Sequence, residues 1–196
     1  MKLNEAKYKD FSLVKEMLET ADVVRGLDLR KISSYSAAHI NVLFSGEGSS
    51  RIFPAKNLIY QALITGYKER FFTENGMQAQ EYDLSGFSVF VASNSGKTAE
   101  GVALLRHLKD KGSRDITGLV AHADTPIMNE AHNSYLLSCG DENAVAATKS
   151  VVEQALFYDI VFRSQNQQKM PDLTALGDAI QQTLEAPIPQ DMVSAL

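Results

Sequence analysis

The spacing of apolar residues divides this chain into alternating helices and strands. Val14, Met17, Leu18, Ala21 and Val24 recur at the three- and four-residue interval of one helical face, which predicts an opening helix. Asn41–Ser45 is a short apolar run stopped by Gly46 and reads as a buried strand, followed by a helix over Ile52–Thr65. Lys68–Thr73 offers a second strand, and Gln78–Asp83 fits neither pattern. Phe87–Ser93, rich in β-branched and aromatic residues, is the clearest strand. A helix over Thr98–Lys111 follows, with Val102, Leu105 and Leu108 on one face and Gly112 as its stop. Asp115–Ala121 and Ser134–Ser138 read as the fourth and fifth strands, with a short helix between them opened by Pro126. Asn143–Phe162 then reads as one helix carrying Val145, Val152, Leu156 and Ile160 in register. Pro171 opens a last helix with Leu173, Leu176, Ile180 and Leu184.

Strands alternating with helices imply βαβ units. The expected fold class is therefore α/β, a three-layer, doubly wound, five-stranded parallel sheet. Three stretches are expected: an N-terminal helical segment over 1–40, the α/β domain over 41–165, and a C-terminal helix with a linker-like tail over 166–196. In that tail Pro187 and Pro189 form a rigid break and Asp191–Leu196 begins a new apolar pattern. That ending is expected of one half of a longer protein.

Composition narrows the function. The 196 residues are 44% hydrophobic and 22% charged, the profile of a globular protein. A formal net charge of −5 offers no global field for nucleic acid, so an anionic ligand must be held by local groups. One cysteine, Cys139, permits no intrachain disulfide and fits a reducing cytoplasm. The segment Met1–Glu5 leads into charge rather than a signal core, and no apolar run approaches the ~18 residues of a membrane helix. The four histidines and the cysteine lack metal-ligand spacing, so neither a metal nor a cofactor is expected.

Ligands of an open parallel sheet sit at the carboxyl ends of its strands. Two such ends here are rich in glycine and hydroxyls. Gly46-Glu47-Gly48-Ser49-Ser50 follows the first strand, and Ser93-Asn94-Ser95-Gly96-Lys97-Thr98 follows the third. Glycine lets the backbone turn tightly and approach a ligand, while hydroxyls and the free amides of the next helix supply donors for one phosphate. Ordinary tight turns with N-capping serine and threonine are the alternative. A P-loop fails because its opening glycine is missing, Ala92 standing near its place. A dinucleotide fingerprint fails because Arg51 stands where its third glycine belongs.

These segments resemble a known family. Ser93-Asn94-Ser95-Gly96-Lys97-Thr98-Ala99-Glu100 looks like the Ser-x-Ser-Gly-x-Thr signature of sugar isomerase (SIS) domains, and Gly46–Ser50 looks like their first loop. Glu142-Asn143-Ala144-Val145-Ala146-Ala147-Thr148-Lys149-Ser150 looks like the Glu-x-x-Val-Ala-x-Thr-Lys segment of the branch with two SIS units in tandem. The resemblance spans about Asn41 to Phe162 and implies flavodoxin-like strand order. It also implies sugar-phosphate contacts from Ser49, Ser50, Ser93, Ser95 and Thr98, with Gly48, Asn94 and Gly96 lining the same site. Asn94 sits where relatives often carry glutamine. In the tandem branch the proton-transferring glutamate and the ring-opening histidine lie in a second half, for which this sequence shows no counterpart.

Aldose–ketose isomerisation moves a proton between C1 and C2 through an enediol and needs a base and a ring-opening group. Glu142, expected at the start of a helix beyond the fifth strand, is the first candidate, a dipole-stabilised carboxylate being its bland alternative. Lys149, expected one to two turns into that helix, could touch a sugar hydroxyl or pair with Glu142, a solvated or salt-bridged lysine being the bland alternative. His122 directly follows the fourth strand and could act as the ring-opening acid or base. Glu47 would repel phosphate and is expected to point away; Arg51 could touch the phosphate or lie in solvent. The expected function is phosphosugar isomerisation, with an amino-sugar isomerase or deaminase among its forms. The alternative is a phosphosugar-sensing module without catalysis. A DNA-binding regulator is disfavoured because only one helix is evident before the first strand. The expected partners are a small-molecule sugar phosphate and a second SIS unit, supplied by homo-oligomerisation or in tandem, without nucleic acid or membrane.

Overall fold

A computed structural model describes residues 10–187. Five strands form one sheet: β1 (Asn41–Gly46), β2 (Arg70–Glu74), β3 (Phe87–Ser93), β4 (Ile116–Val120) and β5 (Asn133–Leu136). Their order is β2-β1-β3-β4-β5, and every pairing is parallel. This is the flavodoxin-like arrangement. Chain direction across the sheet reverses between β1 and β3, and the crevice for a ligand opens there. Gly46 lies opposite Ala92 in the register of that pair. A Cβ on Gly46 would come within 2.8 Å of the Ala92 carbonyl, so the two strands approach this closely only because residue 46 has no side chain.

Side chains alternate across the central strands and build two cores. On one face Val42, Phe44, Phe90, Ala92 and Leu119 pack under α1 (Ser12–Arg25), α2 (Leu29–Ile32), α3 (Ser49–Thr65), α7 (Lys149–Gln165) and α8 (Leu173–Glu185). This layer is aromatic: the Phe44 ring lies 4.4 Å from Tyr158, and Phe71 lies 4.8 Å from Phe162. On the other face Leu43, Val89, Val91, Ile116 and Val120 pack under α4 (Gly76–Ala79), α5 (Ala99–Asp110) and α6 (Pro126–Glu130). The α1 helix packs along α8 and α7, so it joins the first layer. The predicted three-layer α/β architecture is what the chain adopts. Pro189 and Asp191–Leu196 lie outside the described residues, as does Met1–Glu5.

Strand β3 has the predicted limits, Phe87–Ser93. Three departures bear on the site. The short helix α2 is an addition before the first strand. Strand β5 ends at Leu136 rather than Ser138 because the Ser138 and Cys139 amides turn to the Glu153 carboxylate, at 2.8 Å each. The largest correction concerns α7, which starts at Lys149 and not at Asn143. Residues 141–148 are irregular because carboxylates claim their amides. Asn143 and Ala144 donate to Glu16 of α1, and Thr148 donates to Glu142 at 2.7 Å. Glu142 therefore stands outside the helix. Lys149 is its first residue, and Val145 is fully exposed in the loop instead of lying on a helical face.

Candidate functional site

The two glycine- and hydroxyl-rich segments meet at the carboxyl ends of β1 and β3. In the first, Gly48 has φ +54° and ψ −127°, a conformation that side chains resist. It turns the chain directly into α3, whose first two residues are Ser49 and the buried Ser50. In the second, Gly96 has φ +64°, and a Cβ there would strike the Thr125 side chain. That tight turn folds three hydroxyls together. The Ser93 hydroxyl is 2.7 Å from that of Thr98 and 3.4 Å from that of Ser95. The Gly96 amide donates to Ser93 Oγ at 3.1 Å, and the Lys97 amide to Ser95 Oγ at 3.2 Å.

The helix starts beside this crevice differ from their neighbours. At the same edge of the sheet, α4 is capped by Asn75, which accepts the Gln78 amide, and α6 by Thr125, which accepts the Met128 amide. The α3 and α5 helices flank the β1/β3 crevice, and neither Gly48 nor Thr98 supplies a side-chain cap. Ser93 and Ser95 thus accept amides within the turn, but Thr98 does not supply the N-cap that the ordinary-turn reading requires of it. Both helix starts leave first-turn amides and the positive dipole end for another acceptor.

Glu142 ties this loop to the start of α7. Its Oε1 accepts the Thr148 amide at 2.7 Å and the Thr148 hydroxyl at 2.9 Å. Its Oε2 accepts the Asn94 side-chain amide at 3.0 Å and a short bond from the Ser150 hydroxyl. Burial pushes the carboxyl pKa up, but the donors on Ser150 and Thr148 outweigh it and leave the group below its ordinary value. A carboxylate so stabilised is a weak proton acceptor and a firm strut.

Lys149 is equally committed, but to Glu19 rather than to Glu142. Its Nζ donates to Glu19 of α1 at 2.8 Å and to the Asp141 carbonyl at 3.2 Å. Burial lowers its pKa, but Glu19 raises it further, so the net shift is upward and the ammonium is kept charged. His122 is freer: its side chain is 42% exposed, and Nδ1 lies 3.5 Å from Asp141. It stands two residues beyond β4, whose end is tied to the second loop by the Ala121 amide donating to the Asn94 carbonyl at 3.0 Å. The site thus gathers two adjacent hydrogen-bonded groups, Ser93 with Ser95 and Thr98, and Asn94 with Glu142, with His122 at the rim and Lys149 turned toward α1.

Sequence reasoning missed the acids that hold this array. Buried Glu16 carries the loop after Glu142, and Glu19 carries Lys149. Glu153, fully buried, accepts the Tyr135 hydroxyl at 3.0 Å, the Ser138 hydroxyl at 2.9 Å and both following turn amides. Glu153, in line with Leu156, Phe157 and Ile160 on an otherwise apolar helical face, was the one available signal; Glu16 and Glu19 offered none. Glu47 points away from the crevice and accepts the Gly76 amide at 2.9 Å. Cys139 is buried, and burial followed by the charges of Glu153 and Glu142 pushes its thiol up to about 12, out of the range of a nucleophile. Among the described residues no cluster of His, Cys, Asp and Glu is placed to hold a metal ion, and no helix is long and apolar enough to cross a membrane.

This sheet order, with a hydroxyl-lined crevice between β1 and β3, is the flavodoxin-like fold that the resemblance to SIS domains implied, and solved structures bear out the fold. The C-terminal domain of glucosamine-fructose-6-phosphate aminotransferase from Francisella tularensis superposes with a TM-score of 0.66 at 16% identity, over 94% of this chain and 56% of that one. Tagatose-6-phosphate ketose/aldose isomerase from Escherichia coli superposes at 0.69 with 14% identity, over 92% of this chain and 55% of that one. Glucosamine-6-phosphate deaminase from Thermotoga maritima gives 0.67 at 18% identity, over 88% of this chain and 54% of that one. The chain thus spans just over half the length of each. Comparison with protein-family models and with curated proteins finds no match.

Proposed function

We propose that this chain binds the phosphate of a phosphorylated sugar in the β1/β3 crevice and takes part in aldose–ketose isomerisation of that sugar. One observation carries the binding reading: the two helix starts beside the crevice are uncapped and face the converged hydroxyls of the second loop, while α4 and α6 on either side are capped and the uncapped start of α7 meets the Glu142 carboxylate. First-turn amides of α3 and α5, with the hydroxyls of Ser49, Ser50, Ser93, Ser95 and Thr98, are the donors assigned to the phosphate oxygens. Gly48 and Gly96 let the backbone come close, and Asn94 is held for the ligand by Glu142. Hydrogen bonds to a charged acceptor contribute about 1.5–3 kcal/mol each. An acidic chain can therefore hold a dianion without a basic field.

For the chemistry, His122 is the best-placed proton carrier. It is partly exposed at the rim, with Asp141 3.5 Å from Nδ1. It would accept the proton from one carbon of the opened sugar and return it to the neighbouring carbon of the enediol. Glu142 and Lys149 act as positioning groups in this reading, because Glu142 already accepts four hydrogen bonds and the Lys149 ammonium is held by Glu19 and the Asp141 carbonyl. The superposed proteins, by their names, act on hexose 6-phosphates, which supports the substrate class. Their greater length supports a second SIS unit as partner, here a second copy of the chain. The outer side of α3, where Phe53, Tyr60, Leu63 and Ile64 are exposed, is a surface suited to it.

The commitment of Glu142 and Lys149 also favours a second reading, binding without turnover. Incubation with fructose 6-phosphate, tagatose 6-phosphate and glucosamine 6-phosphate, followed by NMR, separates the two. Isomerised product supports catalysis. A raised melting temperature without product leaves a binding module. Neither effect with any of the three refutes both readings.

A further inference from the structure

Arg51 stands in the first turn of α3, directly after the hydroxyls of the first loop, and its surroundings do not explain it as a structural residue. A cation at a helix N-terminus opposes the dipole. Its nearest counter-ion is Glu74 at the end of β2, with Nη1 to Oε1 at 3.6 Å, beyond hydrogen-bond distance. Its Nε is buried with no hydrogen-bond partner among the described residues. The other ion-paired arginines behave differently: Arg25, Arg106 and Arg163 hydrogen-bond their carboxylates at 2.6 to 3.1 Å.

Glu74 has little need of Arg51. Its Oε1 accepts the Asn75 amide at 2.8 Å and the Asn75 side chain at 3.1 Å, while Oε2 faces the Tyr82 hydroxyl at 3.4 Å. The loop's own acid, Glu47, is turned to Gly76. The result is a half-buried guanidinium with unused donors, held by charge alone beside an uncapped loop.

We propose that Arg51 is the phosphate-recognising cation of this site, with Glu74 as its resting counter-ion. When a sugar phosphate enters, the guanidinium leaves Glu74 and forks onto the phosphate oxygens above Gly48–Ser50. This rests on the crevice reading and adds a specificity element to it. The donors of the two loops accept any small oxyanion, whereas a planar fork favours a dianionic phosphate with two oxygens free.

Fructose 6-phosphate is the probe, titrated by calorimetry into the parent, R51A, R51K, E74Q and S95A. The expected result is a loss of affinity of about ten- to a hundred-fold for R51A. For R51K, which keeps charge but not the fork, about three- to ten-fold is expected. E74Q, which removes the competing carboxylate, is expected to tighten binding about two- to five-fold. Melting without ligand serves as control: R51A is expected to melt at or above the parent, because an unfavourable helix charge is gone, so lost binding cannot be ascribed to unfolding. If R51A and R51K bind like the parent while S95A does not, the assignment of Arg51 is overturned and the crevice reading survives. If S95A also binds like the parent, the crevice reading itself falls. If E74Q weakens binding, Glu74 is a structural partner and the release of Arg51 from it is refuted.

Discussion

Replacing Glu142 by glutamine tests whether one carboxylate holds the phosphate loop to the start of α7. The carboxylate accepts four hydrogen bonds, two on each oxygen. Glutamine keeps one acceptor oxygen and presents a donor at the other position. The Thr148 amide cannot reverse its polarity, so the remaining oxygen stays with Thr148. The Ser150 hydroxyl can rotate and accept from the new NH₂ group. The Asn94 side chain can turn over and present Oδ1 to the same NH₂ group. All four bonds then weaken from charge-assisted to neutral ones. At about 0.5–1 kcal/mol for each, the expected loss is ~2–4 kcal/mol. In a domain of this size that lowers the melting temperature by roughly 5–15 °C.

Urea unfolding of parent and E142Q across pH measures this loss. The folded-state pKa of Glu142 lies below its unfolded value. Its stabilisation is therefore fully present above the unfolded pKa of about 4.3 and is lost as pH falls through the lower folded value. The gap between the two proteins should be widest above about pH 5 and close in stronger acid. A gap under about 0.5 kcal/mol at neutral pH, or one that widens on acidification, refutes the strut assigned to Glu142.

Ser95→Ala and Thr98→Ala should each weaken fructose 6-phosphate binding by about 1–3 kcal/mol in calorimetric titration with little change in unfolding; parent-like affinity in both removes the phosphate from this loop. Glu153→Ala leaves the Tyr135 hydroxyl and the Ser138 and Cys139 amides without their acceptor, and a loss near ~3 kcal/mol or more is expected in urea unfolding. Glu16→Ala should free the Asn143 and Ala144 amides, seen as faster hydrogen exchange at 141–148 than in the parent. Light scattering should give a dimer, or a dimer of dimers, and a strict monomer refutes the second copy as partner.

The sheet was legible because burial on both faces leaves near-continuous apolar runs, as in Phe87–Ser93. The two loops were legible because tight strand-to-helix turns demand glycine at Gly48 and Gly96. The start of α7 was not, because its boundary is decided by residues far away in the chain. Asn143-Ala144-Val145-Ala146 has the composition of a helix. Tertiary hydrogen bonds that the Asn143 and Ala144 amides donate to Glu16, over a hundred residues earlier, override that propensity. Glu16 itself reads as a solvent-facing residue of an amphipathic helix, yet it is 3% exposed while Met17 and Leu18 of the predicted apolar face are half-buried. The pairing of Lys149 with Glu19 was hidden for the same reason, since periodicity locates faces but not the partners they meet.

Binding of a phosphorylated sugar in the β1/β3 crevice is the claim on which the rest depends. Calorimetric titration of the parent and of an S95A/T98A double variant with fructose 6-phosphate and with fructose tests it most directly. The expected result is saturable binding of the phosphorylated sugar to the parent, none of fructose, and a large loss in the double variant. Equal binding of the two sugars, or unchanged binding in the double variant, would contradict it.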